Sequence, residues 1–356
     1  MKRLLIAAGG GGDVIAAVML HAALYGPAAP ALVLTYAWER LVVDPLPGPR
    51  GRADFTGLDS PAPRLDLVTA RTAPIPPAGS SLPRLAAELP LPLGLLDPYG
   101  GAAGLARTVA AAARHCGATH VDVVDVGGDI LSDGTEPTLR SPLGDALVLA
   151  ACVRTRLPTR VWVTGPALDR EVPARELFAR LPPAGFALGA AHVEPVRRVF
   201  GWHPSEASAM LAAAARGVRG RCGIRDVPEP LRLDDRSAGV HRLSLARAVA
   251  LNPLARRLAD SAGLDDAEQA SLEVCGFSEV ARERARAAAG PPPPAVAVSP
   301  DGADLPARLA DWRAALRREG VTLATRRRAV EDLTLGPADL RRIAPSAGSA
   351  FPLLTV

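Results

Sequence analysis

Short apolar runs alternate with alanine-rich stretches of helical length along most of this chain, and that alternation is the strongest constraint on its fold. Leu4–Ala8, Ala31–Thr35, Val121–Val126 and Arg160–Thr164 are short and largely apolar, as strands buried on both faces are. Val14–Tyr25, Gly100–Cys116 and Leu143–Arg154 have the length and composition of helices. Strand and helix in alternation predict an α/β chain with a Rossmann-like, doubly wound, mainly parallel sheet and helices on both faces.

The rest of the chain is read against that pattern. Asp66–Ala70 is expected as a third strand, and Glu171–Arg180 and Ser205–Arg216 as helices, the second capped by Ser205. His241–Ala248 is an ambiguous strand, and Asp265–Ala289 is expected as one long helix. Asp44–Gly51 carries Pro45, Pro47 and Pro49, so it is irregular and is expected to cross the carboxyl edge of the sheet. Ile75–Pro98 is broken by prolines and shows no clear period. Pro291–Pro294 reads as a stiff linker. It separates a main domain, residues 1–290, from a C-terminal α/β segment, residues 295–356. That segment should hold a strand at Val296–Val298, a helix at Leu305–Arg318 and a strand at Val321–Thr325. Arg326, Arg327 and Arg328 are expected on a solvated face, and the apolar Phe351-Pro352-Leu353-Leu354 end predicts packing on the main domain.

Composition removes several functions. At 356 residues and 48% hydrophobic, the chain can bury a sizeable core. The net charge is +4, yet 40 of the 41 basic residues are Arg dispersed among acids, without the basic stripe of a nucleic-acid binder. The sole lysine, Lys2, precedes the first strand. That placement argues against a P-loop lysine and against imine chemistry, pyridoxal phosphate included. Cys116, Cys152, Cys222 and Cys275 lie far apart with no CxxC pair, so they suggest reduced thiols in a cytoplasmic protein, not a zinc site or a disulfide framework. Met1-Lys2-Arg3 before apolar residues resembles a secretory signal, but four glycines and Asp13 interrupt it. No apolar run reaches the roughly 18 residues of a membrane span. Homo-oligomerisation is compatible with the sequence but not specified by it.

Two glycine-bearing turns carry the candidate site. Gly9, Gly10, Gly11, Gly12 and Asp13 join the first strand to the first helix, where backbone N–H groups can face an anion. Gly9 and Gly11 fit the first two positions of a dinucleotide fingerprint, but Val14 fills the third. Glu39, beside Trp38, falls where a ribose-binding acid would sit. The incomplete fingerprint makes a nicotinamide cofactor (NAD) a poor fit, while the turn itself still suits ligand contact. The second turn, Gly127-Gly128, ends the central strand and is surrounded by Asp125, Asp129, Asp133, Glu136 and Asp145. In open α/β sheets ligands bind outside the carboxyl ends of strands. Asp125, Asp129 and Glu136 are therefore expected to line one pocket with Asp13, and Asp145 to stand just behind them. Asp129 is the preferred catalytic base, with Asp125 and Glu136 as further catalytic candidates. His203 and Glu206, at the start of a later helix, are candidate ligand contacts, although a satisfied helix cap explains them better.

The Gly9–Asp13 turn, the Tyr36-Ala37-Trp38-Glu39-Arg40 segment, the Asp125–Asp145 block and His203-Pro204-Ser205-Glu206 occur in an order that resembles the family catalogued as domain of unknown function 1152. The resemblance spans roughly residues 1 to 340, and the acidic glycine block is its most specific part. It implies a Rossmann-like fold and a site at these blocks, and it assigns no reaction. Members often carry a Gly-Gly-Thr-Asp-type turn, where this chain has Gly127-Gly128-Asp129 directly.

A glycine turn and a carboxylate cluster on one sheet edge suit an enzyme acting on a phosphorylated, nucleotide-like or amino-acid-like small molecule, by group transfer or hydrolysis. If a metal is bound, oxygen-only ligands favour Mg²⁺, Mn²⁺ or Ca²⁺ over zinc, with Asp125, Asp129 and Glu136 as the expected set. No Gly-x-Ser-x-Gly elbow suggests a serine nucleophile. The competing class is a non-catalytic sensor of a nucleotide or metabolite, and the third is a purely structural use of the acids.

Overall fold

A computed structural model describes residues 3–225, 229–290, 305–335 and 351–356. The chain opens with β1 (Arg3–Ala7), α1 (Asp13–Tyr25) and β2 (Ala31–Tyr36). Short strands follow at β3 (Phe55–Thr56), β4 (Asp59–Ala62), β5 (Leu65–Val68) and β6 (Ala73–Pro74). Then come α2 (Leu82–Glu88), β7 (Leu93–Leu96), α3 (Gly101–Cys116), β8 (Val121–Val126), α4 (Leu143–Thr155) and β9 (Thr159–Thr164). Beyond β9 lie α5 (Ala174–Arg180), β10 (Phe186–Ala187), α6 (Ala190–Val193), α7 (Glu206–Ala215), β11 (Gly220–Gly223), β12 (Leu231–Leu233) and β13 (Gly239–Ser244). Four helices come next: α8 (Leu245–Leu251), α9 (Pro253–Arg257), α10 (Leu264–Cys275) and α11 (Glu279–Ala289). The last elements are α12 (Leu305–Arg318), β14 (Leu323–Ala324), α13 (Arg326–Asp332) and β15 (Leu354–Thr355).

The central sheet has the order β10-β13-β9-β8-β1-β2-β7-β5-β4 among the described residues. Its middle strands β9, β8, β1, β2 and β7 run parallel, and antiparallel strands close both edges. Parallel neighbours need crossovers, and helices supply them. α1 and α7 cover one face, over Leu5, Ala7, Val33, Val124 and Val126. α3, α4 and α8 to α10 cover the other, over Leu4, Ile6, Val121, Val123 and Val161. This is the predicted α/β, doubly wound architecture. Adjacent β1 and β8 send the chain in opposite directions, β1 to β2 and β8 to β9, so a crevice opens at their carboxyl ends. The period of two along β8 puts Asp125 on the α4 face with Val121 and Val123, and Asp122 on the α1 face with Val124.

Several expectations are corrected. β5 ends at Val68 and pairs antiparallel with β7; the next parallel strand after β2 is β7 itself, inside the proline-broken stretch. The expected long helix is two, because Gly276 at φ 73° ends α10 and Ser278 caps α11. Arg327 and Arg328 are not on a solvated face: their side chains are 11% and 13% exposed and pair with Glu331 and Asp332. His241 lies in β13, and the chain turns into α8 at Leu245. Pro291–Pro294 and Val296–Val298 lie outside the described residues. β11, β12, β14 and β15 form a second sheet that joins residues 305–335 and 351–356 to the rest, and the Phe351 ring packs edge-on to Phe200 at 6.2 Å. Among the described residues no helix is long and apolar enough to cross a membrane.

Candidate functional site

Three strand ends and two helix starts build the site. Asp13 is the first residue of α1, Asp125 the penultimate residue of β8, and Asp145 lies in the first turn of α4. One carboxylate oxygen from each lies within 4.8 Å of the others. Asp125 and Asp145 are each 1% exposed, whereas Asp13 keeps partial solvent contact, so the cluster is reachable from one side. Gly9 permits the approach: a Cβ there would stand 2.9 Å from Asp13 Oδ2 and 3.2 Å from Asp145 Oδ2. The Gly9 N–H donates to Asp13 Oδ2 at 3.0 Å and fixes that side chain. This N–H is therefore already spent, and an approaching bare anion meets carboxylates first.

Asp129 and Asp169 join the group. Asp169 follows β9 and lies against Gly127, whose φ of 118° and missing Cβ leave room for it; an added Cβ would come within 2.2 Å of Asp169 Cγ. Burial, then the neighbouring Asp145, Glu171, Asp169 and Asp125 charges, raises Asp129 well above the carboxylate range. Burial, then the Asp13 and Asp169 charges, raises Asp125 well above that range, with the Asp129 side chain and Gly128 N–H opposing, and burial, then Asp125 and Asp13, raises Asp145 likewise. Asp13 and Asp169 are each pushed up to about 7, by burial first, with the Gly9 and Glu171 N–H groups opposing. Like charges in a buried site cannot all ionise.

The carboxylates divide into partnered and unpartnered ones. Glu171 accepts from the Arg140 and Ser141 N–H groups at 2.7 and 2.8 Å, ahead of α4, and Glu279 accepts from Leu143 N at 3.2 Å. Glu283 accepts from Trp38 Nε1 and from Gly48 N. Asp122 accepts from Tyr25 Oη at 2.5 Å and Trp162 Nε1 at 2.8 Å. Neither carboxylate oxygen of Asp145, by contrast, has a hydrogen-bond partner among the described residues, and neither oxygen of Asp125 receives a well-formed hydrogen bond, Gly128 N–H and Asp129 only approaching it. Buried polar groups are almost always satisfied, so each exception asks for an explanation. Arg40 stands at the rim with solvent contact; loss of water works against its charge, but Glu171, Glu279, Glu283 and Asp129 outweigh that and raise it.

The structure does not bring every candidate here. Glu136 is turned away: it accepts from Asp133 N and Gly134 N and pairs with Arg180 at 2.5 Å, so it caps its own loop. It drops out of the expected metal set on that ground. Glu39 accepts from Ser81 N at 2.7 Å and from the Ser81 hydroxyl, which leaves it turned to α2 and not to a ribose. Glu206 accepts from Arg225 N and the Thr325 hydroxyl and ties α7 to the C-terminal segment. His203 accepts from Ser205 N at 3.2 Å; burial alone lowers it to about 4, with no acid beside it to hold a proton. Ser205 caps α7 as expected, accepting from Ser208 N. Trp38 does flank the glycine turn, its Cβ 3.4 Å from where a Cβ on Gly10 would lie, and Gly12 packs against Ser205 and Ser208. Gly128, at φ 112°, leaves room for Leu177.

Asp169, Glu171 and Arg40 were missed as site residues. The signal for Asp169 was present in Gly165-Pro166, a chain break at the end of a strand adjacent to β8, with an acid three residues on. A separate cleft of about 570 Å³, lined by Arg52, Asp66, Asp97 and Arg107, lies at the β4–β5 edge; there Arg52 already pairs with Asp66 at 2.9 Å.

The family described as "Protein of unknown function (DUF1152)" matches residues 4–287. The chain belongs to this family. Its matched region includes every aspartate of the cluster and ends before α12. No curated protein and no solved structure matches the chain.

Proposed function

We propose that this family member is an enzyme that transfers or hydrolyses a group on a phosphorylated, nucleotide-like or amino-acid-like small molecule. One observation carries the reading: Asp125 and Asp145 are buried without a well-formed hydrogen bond at the switch point of the sheet. Leaving a buried polar group unsatisfied costs about 1–3 kcal/mol. A fold that needed these acids only for caps would partner them, as it partners Asp122 and Glu171. Strongly perturbed acids in a crevice are the usual mark of a working site. Asp129, held protonated more readily than an ordinary carboxyl, is suited to take and return a proton as general base and acid. Asp13, with solvent contact, faces the entry. The chain is expected to act in the cytoplasm as a small-molecule enzyme, without nucleic acid.

Incubating the protein with a metabolite extract and following consumption by mass spectrometry tests the reading. Loss of one compound, abolished by Asp129→Asn with the melting temperature kept, supports it. A compound retained on the protein but never consumed favours the sensor instead.

A further inference from the structure

We infer that Asp13, Asp125 and Asp145 bind one divalent cation of the hard, oxygen-preferring class, Mg²⁺ or Mn²⁺. The inference deepens the proposed function and rests on that reading of the crevice, with a different ligand set from the one the sequence suggested. The geometry comes first. Around Mg²⁺, ligand oxygens at about 2.1 Å stand about 3.0 Å apart in cis and about 4.2 Å apart in trans. The three carboxylate oxygens already lie within 4.8 Å of one another, so a small inward closure completes three positions of an octahedron. The remaining positions open toward the exposed side of Asp13, where water or substrate oxygen can coordinate.

The second observation is independent of the clustering. All four carboxylate oxygens of Asp125 and Asp145 are buried without a well-formed hydrogen bond among the described residues, and those of Asp145 have no partner at all there. Asp122 occupies the same strand, is buried as completely, and is fully engaged by Tyr25 and Trp162. The fold can satisfy a buried aspartate on β8 and does so where no ligand is due. Gly9 adds to this, because only the absence of a Cβ lets Asp13 and Asp145 close together. A substrate ammonium group would offset a single negative charge at the cluster, whereas a divalent cation offsets two. No sulfur or imidazole belongs to the set, which disfavours zinc.

Titration of the chelator-stripped full-length protein with Mn²⁺, read by the electron paramagnetic resonance signal of free Mn²⁺, tests the site. One equivalent should bind and be displaced by Mg²⁺. Asp125→Asn and Asp145→Asn should each weaken binding at least tenfold while circular dichroism stays native; Asp235→Asn, on the exposed Arg219 pair, should leave it unchanged. If either buried variant fails to fold, Asp13→Asn, which is part-exposed, takes its place. No stoichiometric Mn²⁺ binding at millimolar concentration, or binding unchanged in folded variants of all three acids, overturns the site. The two readings fail separately. Turnover that persists in excess chelator removes the cation and leaves the enzyme; a bound Mn²⁺ on a protein that consumes nothing removes the enzyme and leaves the cation.

Discussion

Asp122 and Asp125 share one strand and nearly complete burial, yet substituting them should have opposite consequences. Asp122→Ala strands the Trp162 N–H and the Tyr25 hydroxyl, so chemical denaturation should show a loss of roughly 2–4 kcal/mol. Asp125→Asn removes no well-formed hydrogen bond, only the weak approach of Gly128 N–H and Asp129, and replaces an acid that is hard to ionise, so its melting temperature should stay close to that of the parent while turnover disappears. A large destabilisation by Asp125→Asn would mean that the acid has a structural partner after all. Gly9→Ala belongs to the same scale. Its new Cβ would press on Asp13 and Asp145, so Mn²⁺ affinity should fall at least tenfold while the fold survives. At this scale the sequence exposed four of the five clustered aspartates, since Asp13, Asp125, Asp129 and Asp145 all stand at glycine turns or helix starts. Glu136 looked equivalent in line, but Arg180, 44 residues away, captures it, and nothing local announces that pairing. Asp169 was only half legible: Gly165-Pro166 marks the end of its strand, but that strand's place beside β8 is a matter of strand order, which spacing does not encode.

The elements that carry the site also set how stability should vary with pH. A carboxyl whose native pKa is raised holds its proton more tightly folded than unfolded. Its contribution is whole below the unfolded value and is lost as pH rises through the native one. For Asp13 and Asp169 the loss runs from about 3.8 to about 7, and for Asp125, Asp129 and Asp145 it continues higher. The cation-free protein should therefore melt at a lower temperature at pH 8.5 than at pH 6, and Mg²⁺ should raise the melting point more at the higher pH. His203, before α7, acts in the other direction. Lowered to about 4 by burial, it contributes fully above 6.5 and loses about 3 kcal/mol as pH falls through that window. His203→Gln should flatten the acid side of a calorimetric pH profile and leave the alkaline side alone. The elements themselves were legible where apolar runs were unbroken: β1, β2, β8, β9, α1, α4 and α12 lie within a residue or two of where the pattern put them. β7 was not, because four residues bracketed by Pro92 and Pro98 leave no period to read. The break between α10 and α11 was a single glycine whose left-handed φ only the backbone reveals.

At the scale of the whole molecule, the C-terminal segment and the crevice meet through α7. Glu206 at its start accepts from Thr325, and Ser208 two residues on donates to Gly12 O at 2.8 Å. Deleting residues 351–356 removes β15 and the Phe351 ring from the core, so the truncated protein should melt at least several degrees lower in differential scanning calorimetry. The charge of the molecule is divided too. The whole chain carries a formal net charge of +4, while the crevice concentrates aspartates around the start of α1, the place where an anion would otherwise settle. A small anion would thus be drawn toward the molecule at long range and repelled at the last few ångströms by Asp13, the acid that has taken the Gly9 N–H for itself. Seating a cation reverses that final repulsion. If the crevice acts on such a substrate as proposed, catalysis acquires a compulsory order, metal before substrate, and an unreactive substrate analogue should bind the chelated protein at least tenfold more weakly than the loaded one.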